Sequence, residues 1–319
     1  MPRQIELRMI ARIAQMYYVE GLRQADIASH LRMSQATVSR MLKRAQAEEI
    51  VRTTVVAPSG TYAELESALR QAYGLSEVIV AECSEDRDGA IMARIGEAAA
   101  HFLEVTLQTD EIIGVSSWSE TILKMVDNIH PMKPAKAKYV VQTLGGMGDP
   151  TVQTHANQLT TRLARLTGAE ARLLSAPGVA QSRDAKLVFL SDTYIRETMD
   201  LYGRISLAIV GIGAVQPSRM LARSGNVFSP RELADITEAG GVGDVSLRFF
   251  DVDGKNVKTP LDERVIGMSF EEHAKIDRVI ALAGGESKVA AIHGALRTGV
   301  IDILITDKFT AGKLASMSD

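Results

Sequence analysis

From Ser76 almost to the C-terminus the chain alternates short, β-branched apolar runs with longer stretches of helical periodicity, and few folds accommodate that order. The strand candidates are Val78–Ala81, Ile112–Val115, Tyr139–Leu144, Arg172–Ser175, Leu207–Ile212, Val279–Ala283 and Ile301–Ile305. Helical segments lie between them, among them Arg87–Leu107, Thr154–Thr167, Asp192–Leu201 and Glu286–Leu296. Strands alternating with helices imply an α/β fold with a mostly parallel sheet covered on both faces. Ligands of such sheets bind beyond the C-terminal ends of the strands.

The loops at those ends are polar and glycine-rich. Strand Ile112–Val115, with Gly114 near its end, runs into "SSWSET", where Ser116, Ser117, Ser119 and Thr121 offer hydroxyls and backbone N–H groups at a helix N-terminus, a favourable place for an anion. The "GGMGD" loop follows Tyr139–Leu144, and its Gly145 and Gly146 let the backbone approach a ligand closely. Gly213 sits in "GIGAV". In "GGESK", Lys288 falls in the first turn of the next helix, where a cation opposes the helix dipole and a nearby anion would account for it. The run "GGVGDVSLRFFDVDG" adds Arg248, Asp251 and Asp253. Glycine pairs after strands are commonly turns, and "DVDG" reads as a β-turn lacking the further oxygen ligands of a calcium loop. Several anion-friendly loops on one sheet edge nevertheless point to a pocket for a small phosphorylated or hydroxylated ligand.

The N-terminal part follows another pattern. Apolar positions recur at helical spacing through Ile10, Ile13, Ala14, Tyr17 and Tyr18, until Gly21 breaks the run. A second short helix fits Gln24 to Leu31. A third runs from Gln35 to about Glu48, with Ser34 as its N-cap. Ala28 is the small residue needed where two helices cross, and Ile27, Leu31, Val38 and Met41 frame the turn. Arg32 stands where such turns often carry glycine. The outer face of the third helix then presents Gln35, Ala36, Thr37, Ser39, Arg40, Lys43 and Arg44, residues able to read base edges or hold phosphates in a major groove. Gln35 and Arg40 are placed to reach bases; Lys43 and Arg44 are placed for the backbone. A merely solvated basic face would share the charge without the cap, the crossing residue and the apolar frame.

Charge distribution agrees. Residues 1–52 hold nine Lys/Arg against five Asp/Glu, +4, while the remainder holds 27 against 34, −7, giving −3 for the 319-residue chain. A cationic end on an acidic body suits local contact with a polyanion. With 46% hydrophobic residues the chain can bury a sizeable core. Its one cysteine, Cys83, excludes an internal disulfide framework, and no leader or membrane-length apolar run is seen, so a cytoplasmic protein is expected. The six histidines lack paired metal-ligand spacing, and neither a nucleophile elbow nor a dinucleotide or P-loop fingerprint is complete, so no metal or cofactor is expected. The expected organisation is residues 1–56 as a helix-turn-helix domain, 57–75 as a linker and helix, and 76–319 as the ligand-binding domain. Pro58 to Gly60 form the linker, and Leu65, Leu69 and Ala72 share a helical face that packs either on its own domain or on a second copy.

Over nearly its whole length the chain resembles the SorC family of sugar-responsive bacterial regulators (SorC/DeoR type). The resemblance rests on "YYVEGLRQADIASHLRMSQATVSRMLKRA", "VVQTLGGMG", "LLSAPGV", "AIVGIGAV", "GGVGDVSLRFFDVDG" and "VIALAGGESKVAAIHGALRTGVIDILITD". It implies an N-terminal winged-helix or helix-turn-helix domain that binds operator DNA. It also implies a C-terminal effector domain similar to the glucosamine-6-phosphate deaminase/ribose-5-phosphate isomerase fold, a homodimer or homotetramer, and a phosphorylated sugar or polyol as effector. By position it implies a phosphate loop from Gly114 to Thr121, Gly145 and Gly146 bordering the ligand, and Asp251 and Lys288 touching it. Where some members carry a cation before the glycine pair, this chain has Leu144. An enzyme of the isomerase or deaminase type, with Asp251 and Lys288 as an acid/base pair, is the competing expectation.

Overall fold

The computed structural model describes residues 2–51, 60–147, 150–216 and 229–317. The chain divides into two compact units, residues 1–58 and 59–319. Of the expected linker, Pro58 and Ser59 lie outside the described residues.

The first unit holds α1 (Pro2–Tyr18), α2 (Gln24–His30) and α3 (Gln35–Ala47). Ile10, Ile13, Ala14, Met16, Ile27, Ala28, Val38, Leu42 and Ala45 form its core. Tyr17 and Met41 pack at the rim, and Tyr18 is exposed. Ala28 is buried between α2 and α3, where a larger side chain would push the helices apart. The turn between them is closed by the Met33 N–H donating to Ala28 O at 2.9 Å. Arg32 reverses the chain there at φ +52°, a left-handed conformation held by a non-glycine residue. Ser34 then starts α3, its Oγ accepting the Thr37 N–H at 3.1 Å.

The second unit opens with α4 (Ala63–Tyr73), which packs on β1 (Glu77–Ala81) and on the C-terminal helix. Leu69 on its inner face is fully buried, so that face serves its own unit. There follow α5 (Asp88–Thr106), β2 (Glu111–Val115), α6 (Glu120–Asn128), β3 (Ala137–Gln142), α7 (Pro150–Thr167), β4 (Glu170–Arg172), α8 (Arg183–Ser191), α9 (Thr193–Met199) and β5 (Leu207–Gly211). After β6 (Gly213–Ala214) come α10 (Pro230–Glu238), β7 (Gly241–Val245), β8 (Arg248–Asp251) and α11 (Phe270–His273). The chain closes with β9 (Arg278–Leu282), α12 (Val289–Arg297), β10 (Ile303–Asp307) and α13 (Lys308–Met317).

Seven strands pair in the order β1-β10-β9-β5-β2-β3-β4, every neighbouring pair parallel. Successive residues feed opposite faces. Ile113, Val140, Ile209 and Ile280 meet α5, α6 and α7 on one side, while Ile112, Val141, Ala208 and Val279 meet α4, α12 and α13 on the other. The expected Arg172–Ser175 strand lies earlier, because beyond Arg172 the Leu174 N–H turns to the Gln142 side chain at 2.9 Å and leaves the ladder. From β2 the chain moves outward through β3 to β4, then returns to β5 on β2's other side and proceeds to β9 and β10. The order therefore reverses between β2 and β5, where the loops diverge and leave a crevice. A second sheet, absent from the sequence expectation, is the antiparallel β6-β7-β8.

Candidate functional site

A cavity of about 750 Å³ opens at that reversal, within the second unit. Its wall draws on the loops after the central strands: Ser116 and Trp118–Thr121 after β2, Leu144 after β3, Gly211–Ala214 after β5, and Gly284, Ser287 and Lys288 after β9. Arg87, Asp88 and Gly89 close one side from the start of α5, and the β7–β8 turn contributes Asp244, Ser246 and Leu247. The N-terminal ends of α5, α6 and α12 thus border one space, where their helix dipoles favour an anion.

Charged groups of both signs meet in this wall. Lys288 ends a 3₁₀ turn (Glu286–Lys288) and immediately precedes α12. Burial pushes its amine below the usual lysine range, while the carboxylates of Asp244, Asp88 and Glu120 pull the other way. Asp244 is 8% exposed, and burial raises its carboxyl to about 6 against the opposing Leu247 N–H and Lys288. One carboxylate oxygen accepts the Leu247 N–H at 2.9 Å. The other lies against Gly213, its neighbour across the β6–β7 pairing, where any Cβ would collide with it. Trp118 donates its indole N–H to Gly145 O at 2.8 Å, which fixes the ring in the wall.

The first unit offers a different surface. On α3, Gln35, Ala36, Arg40 and Lys43 are exposed, and Thr37 and Ser39 are partly so. Thr37 Oγ1 meets Ser34 Oγ at 2.8 Å and accepts from Arg40 at 3.4 Å. Arg44 is paired with Glu6 of α1 and, at 3.5 Å, with Glu48. Both partners raise its guanidinium above the usual range.

Residues 58–316 match the family model described as "Putative sugar-binding domain". The chain is 30% identical to the deoxyribonucleoside regulator of Bacillus subtilis, covering 95% of this chain and 96% of that one. It is 31% identical to the erythritol catabolism regulatory protein EryD of Brucella abortus, over 95% of each. The crystal structure of the full-length sorbitol operon regulator SorC of Klebsiella pneumoniae superposes with a TM-score of 0.74 at 26% identity, over 97% of this chain and 98% of that one. The chain belongs to the SorC family. Its relatives are transcriptional regulators of sugar operons that carry a sugar-binding domain, and the parallel α/β architecture is theirs.

Within this SorC-family chain the structure brings together some of the expected site residues and separates others. Ser116, Ser119, Thr121 and Lys288 share the cavity wall. Ser119 also caps α6, its Oγ accepting the Ile122 N–H at 3.3 Å. Gly114 is interior to β2, where a Cβ would press on Thr143 and Ile205. Ser117 points away, its hydroxyl 3.4 Å from Thr160. Gly145 and Gly146 permit close packing, but against Pro177 and the Gln142 side chain rather than against a ligand. Asp251 is misplaced for the expected role. It pairs with Gly241 at the end of the β7–β8 ribbon opposite the cavity, and its Oδ1 accepts the N–H groups of Asp253 and Lys255 at 2.9 and 2.8 Å. The carboxylates that face Lys288 are Asp244, Asp88 and Glu120, which the sequence reading missed. The aspartate in "VGDVS", one strand-length before Asp251, was the available signal. Among the described residues no cluster of side chains is suited to a metal, and no helix is long and apolar enough to cross a membrane.

Proposed function

We propose that this protein is a DNA-binding regulator of a carbohydrate or polyol catabolic operon whose DNA affinity is set by a phosphorylated sugar or polyol in the second unit. The cavity carries this reading. Three helix N-termini with Ser116, Thr121 and Lys288 provide N–H groups, hydroxyls and a desolvated cation for one phosphate. Asp244 provides a buried acceptor for a sugar hydroxyl. Leu144 and the carboxylates of Asp88 and Glu120 border the cavity, and Arg87, the wall's other cation, is paired with Glu85 at its exposed rim, which favours one phosphate over two. The names of the relatives, which refer to deoxyribonucleosides, sorbitol and erythritol, support a sugar or polyol ligand, and the phosphate is inferred from the cavity alone.

On the first unit, α2 and α3 serve as the helix-turn-helix. α3 enters the major groove with Gln35 and Arg40 toward bases, and Ser34, Ala36, Thr37 and Ser39 line the approach. Lys43 holds phosphate. Arg44, engaged by Glu6 and Glu48, chiefly fixes α1 to α3. A homodimer or homotetramer presents two or more such helices to operator half-sites. The effector shifts affinity by binding the competent and incompetent arrangements unequally.

Trp118, the only tryptophan, reports on the cavity. A saturable fluorescence change with one sugar phosphate, but not with inorganic phosphate or the unphosphorylated parent, is expected. The same compound should shift binding to DNA from upstream of the gene. No response to any sugar phosphate would overturn the reading. The enzymatic alternative draws on the Asp244 carboxyl, poised near 6 beside Lys288, which is the environment of a proton-transfer group. Turnover of the bound compound, abolished in Asp244→Asn, would establish it. Loss of DNA binding in Arg40→Ala with effector binding intact would support the regulator.

A further inference from the structure

Seven buried side-chain nitrogen or oxygen atoms among the described residues have no hydrogen-bond partner, on Gln142, Thr143, Arg172, Ser246, Thr259, His273 and Thr306. Only Ser246 of these residues stands in the cavity wall. A hydroxyl removed from water without a partner is costly, and proteins retain few such groups without a compensating use.

The backbone that carries it is unusual as well. Val245 pairs with Arg248, so Ser246 and Leu247 form the two-residue loop of the β7–β8 hairpin. Their φ values are +54° and +62°. Positive φ at both central positions defines the type I′ turn, which ordinarily selects Asn and Gly. Here the turn is made by two residues that resist it, and both are buried, Ser246 at 3% exposure and Leu247 at 2%. Asp244 holds the conformation through its bond to the Leu247 N–H. Leu247 packs into the apolar cluster with Trp118, Leu144, Phe249 and Val265, which anchors the turn from below. Ser246 therefore borders the cavity with its hydroxyl unpaired and, in this rotamer, covered, so that a ligand reaches it once the side chain turns about Cα–Cβ.

We propose that Ser246 Oγ, turned into the cavity when a ligand binds, is a specificity contact that hydrogen-bonds one hydroxyl of the bound sugar or polyol, selecting ligands that carry that hydroxyl over their deoxy counterparts. The occupant is a neutral hydroxyl rather than the phosphate, because the nearest charge in sequence is the Asp244 carboxylate, and Lys288, which faces that carboxylate, is already opposed by it. A buried serine paired only by the ligand discriminates strongly, since a deoxy analogue restores the unpaired state. This inference rests on the effector reading above.

The test uses the full chain and two variants, Ser246→Ala and Ser246→Gly, the second also suited to a positive φ. Without ligand, both should melt at or above the wild-type temperature, because neither loses a protein hydrogen bond. A fall of several degrees in both would show that the hydroxyl is spent inside the protein and would overturn the proposal. Ribose 5-phosphate, 2-deoxyribose 5-phosphate, erythritol 4-phosphate and glucitol 6-phosphate are then titrated against Trp118 fluorescence. For the tightest hydroxylated probe, wild type should exceed the variants in affinity by about tenfold. Wild type should also prefer that probe over its deoxy analogue at one carbon, and the variants should lose this preference. Equal affinities in wild type and variants would overturn the proposal while leaving the effector site standing. Failure of every probe to bind wild type would overturn the effector reading and the proposal with it.

Discussion

The two ends of the β7–β8 ribbon make an instructive pair. Each has a tight turn whose backbone N–H groups are taken by an aspartate: Asp244 holds Leu247, and Asp251 holds Asp253 and Lys255. The first turn is buried, built from non-glycine residues at positive φ, and faces the cavity. The second ends on Gly254 at φ +80° and places Asp253 and Lys255 in solvent. Turn chemistry is satisfied at both, but only the cavity end leaves polar capacity over. Sequence-local features cannot separate the two, because the difference lies in what surrounds each turn.

The solvent end breaks most sharply at Gly254. A Cβ there would collide with the Arg297–Thr298 backbone as well as forcing a side chain into the left-handed region. Gly254→Ala should therefore cost about 3 kcal/mol in denaturant unfolding. A cost near zero would mean that this turn is not packed on the end of α12. Effector affinity at saturating folding conditions should be unchanged, since the turn does not touch the cavity.

At the cavity end the expected effect is of similar size and opposite in sign. The folded protein holds the Asp244 proton to about pH 6, the unfolded chain only to 3.8. The group therefore favours folding at low pH, and that contribution disappears as pH rises through 6, leaving a penalty of up to about 3 kcal/mol at neutrality. Asp244→Asn should raise stability at pH 7 and flatten the stability–pH profile between about 4 and 6, while weakening sugar phosphate binding at least tenfold. A stabilised variant with unweakened binding would remove Asp244 from the site. Asp251→Ala, by contrast, should cost about 1 kcal/mol through its lost turn bonds and leave effector affinity alone. If it abolished binding instead, the assignment of the two aspartates would be reversed.

What the sequence allowed to be read follows from range. The α2–α3 unit is specified by contacts within a few residues: Ser34 reaches Thr37, Ala28 meets the next helix, and Arg32 closes the turn between them. Parallel strands were also legible, because burial on both faces makes near-continuous apolar runs such as β2 and β10. The cavity was legible only in part. Ser116, Ser119, Thr121 and Lys288 directly follow strands whose direction was known, so their end of the sheet was known too. Asp244 and Ser246 reach the same wall from a hairpin off the main sheet, and no periodicity marks where such a ribbon folds back. Gly145 and Gly146 showed the converse error, since a glycine admits any close neighbour and the neighbour here is Pro177.

The same contrast, between a side chain already engaged and one left available, appears in miniature on α3. Lys43 and Arg44 are adjacent cations, but Arg44 is committed to Glu6 and Glu48 whereas Lys43 is exposed. Lys43→Ala should weaken binding to all DNA sequences alike and reduce the salt slope, log K against log salt, by about 1, with thermal stability unchanged. Arg44→Ala should leave the slope nearly unaltered and lower the melting temperature of the first unit slightly, because the α1–α3 tie is lost. A slope reduction of the same size in both would show that the Glu6 pairing yields to phosphate on DNA. Arg44 would then be a second backbone contact whose partner in the free protein is exchanged on binding.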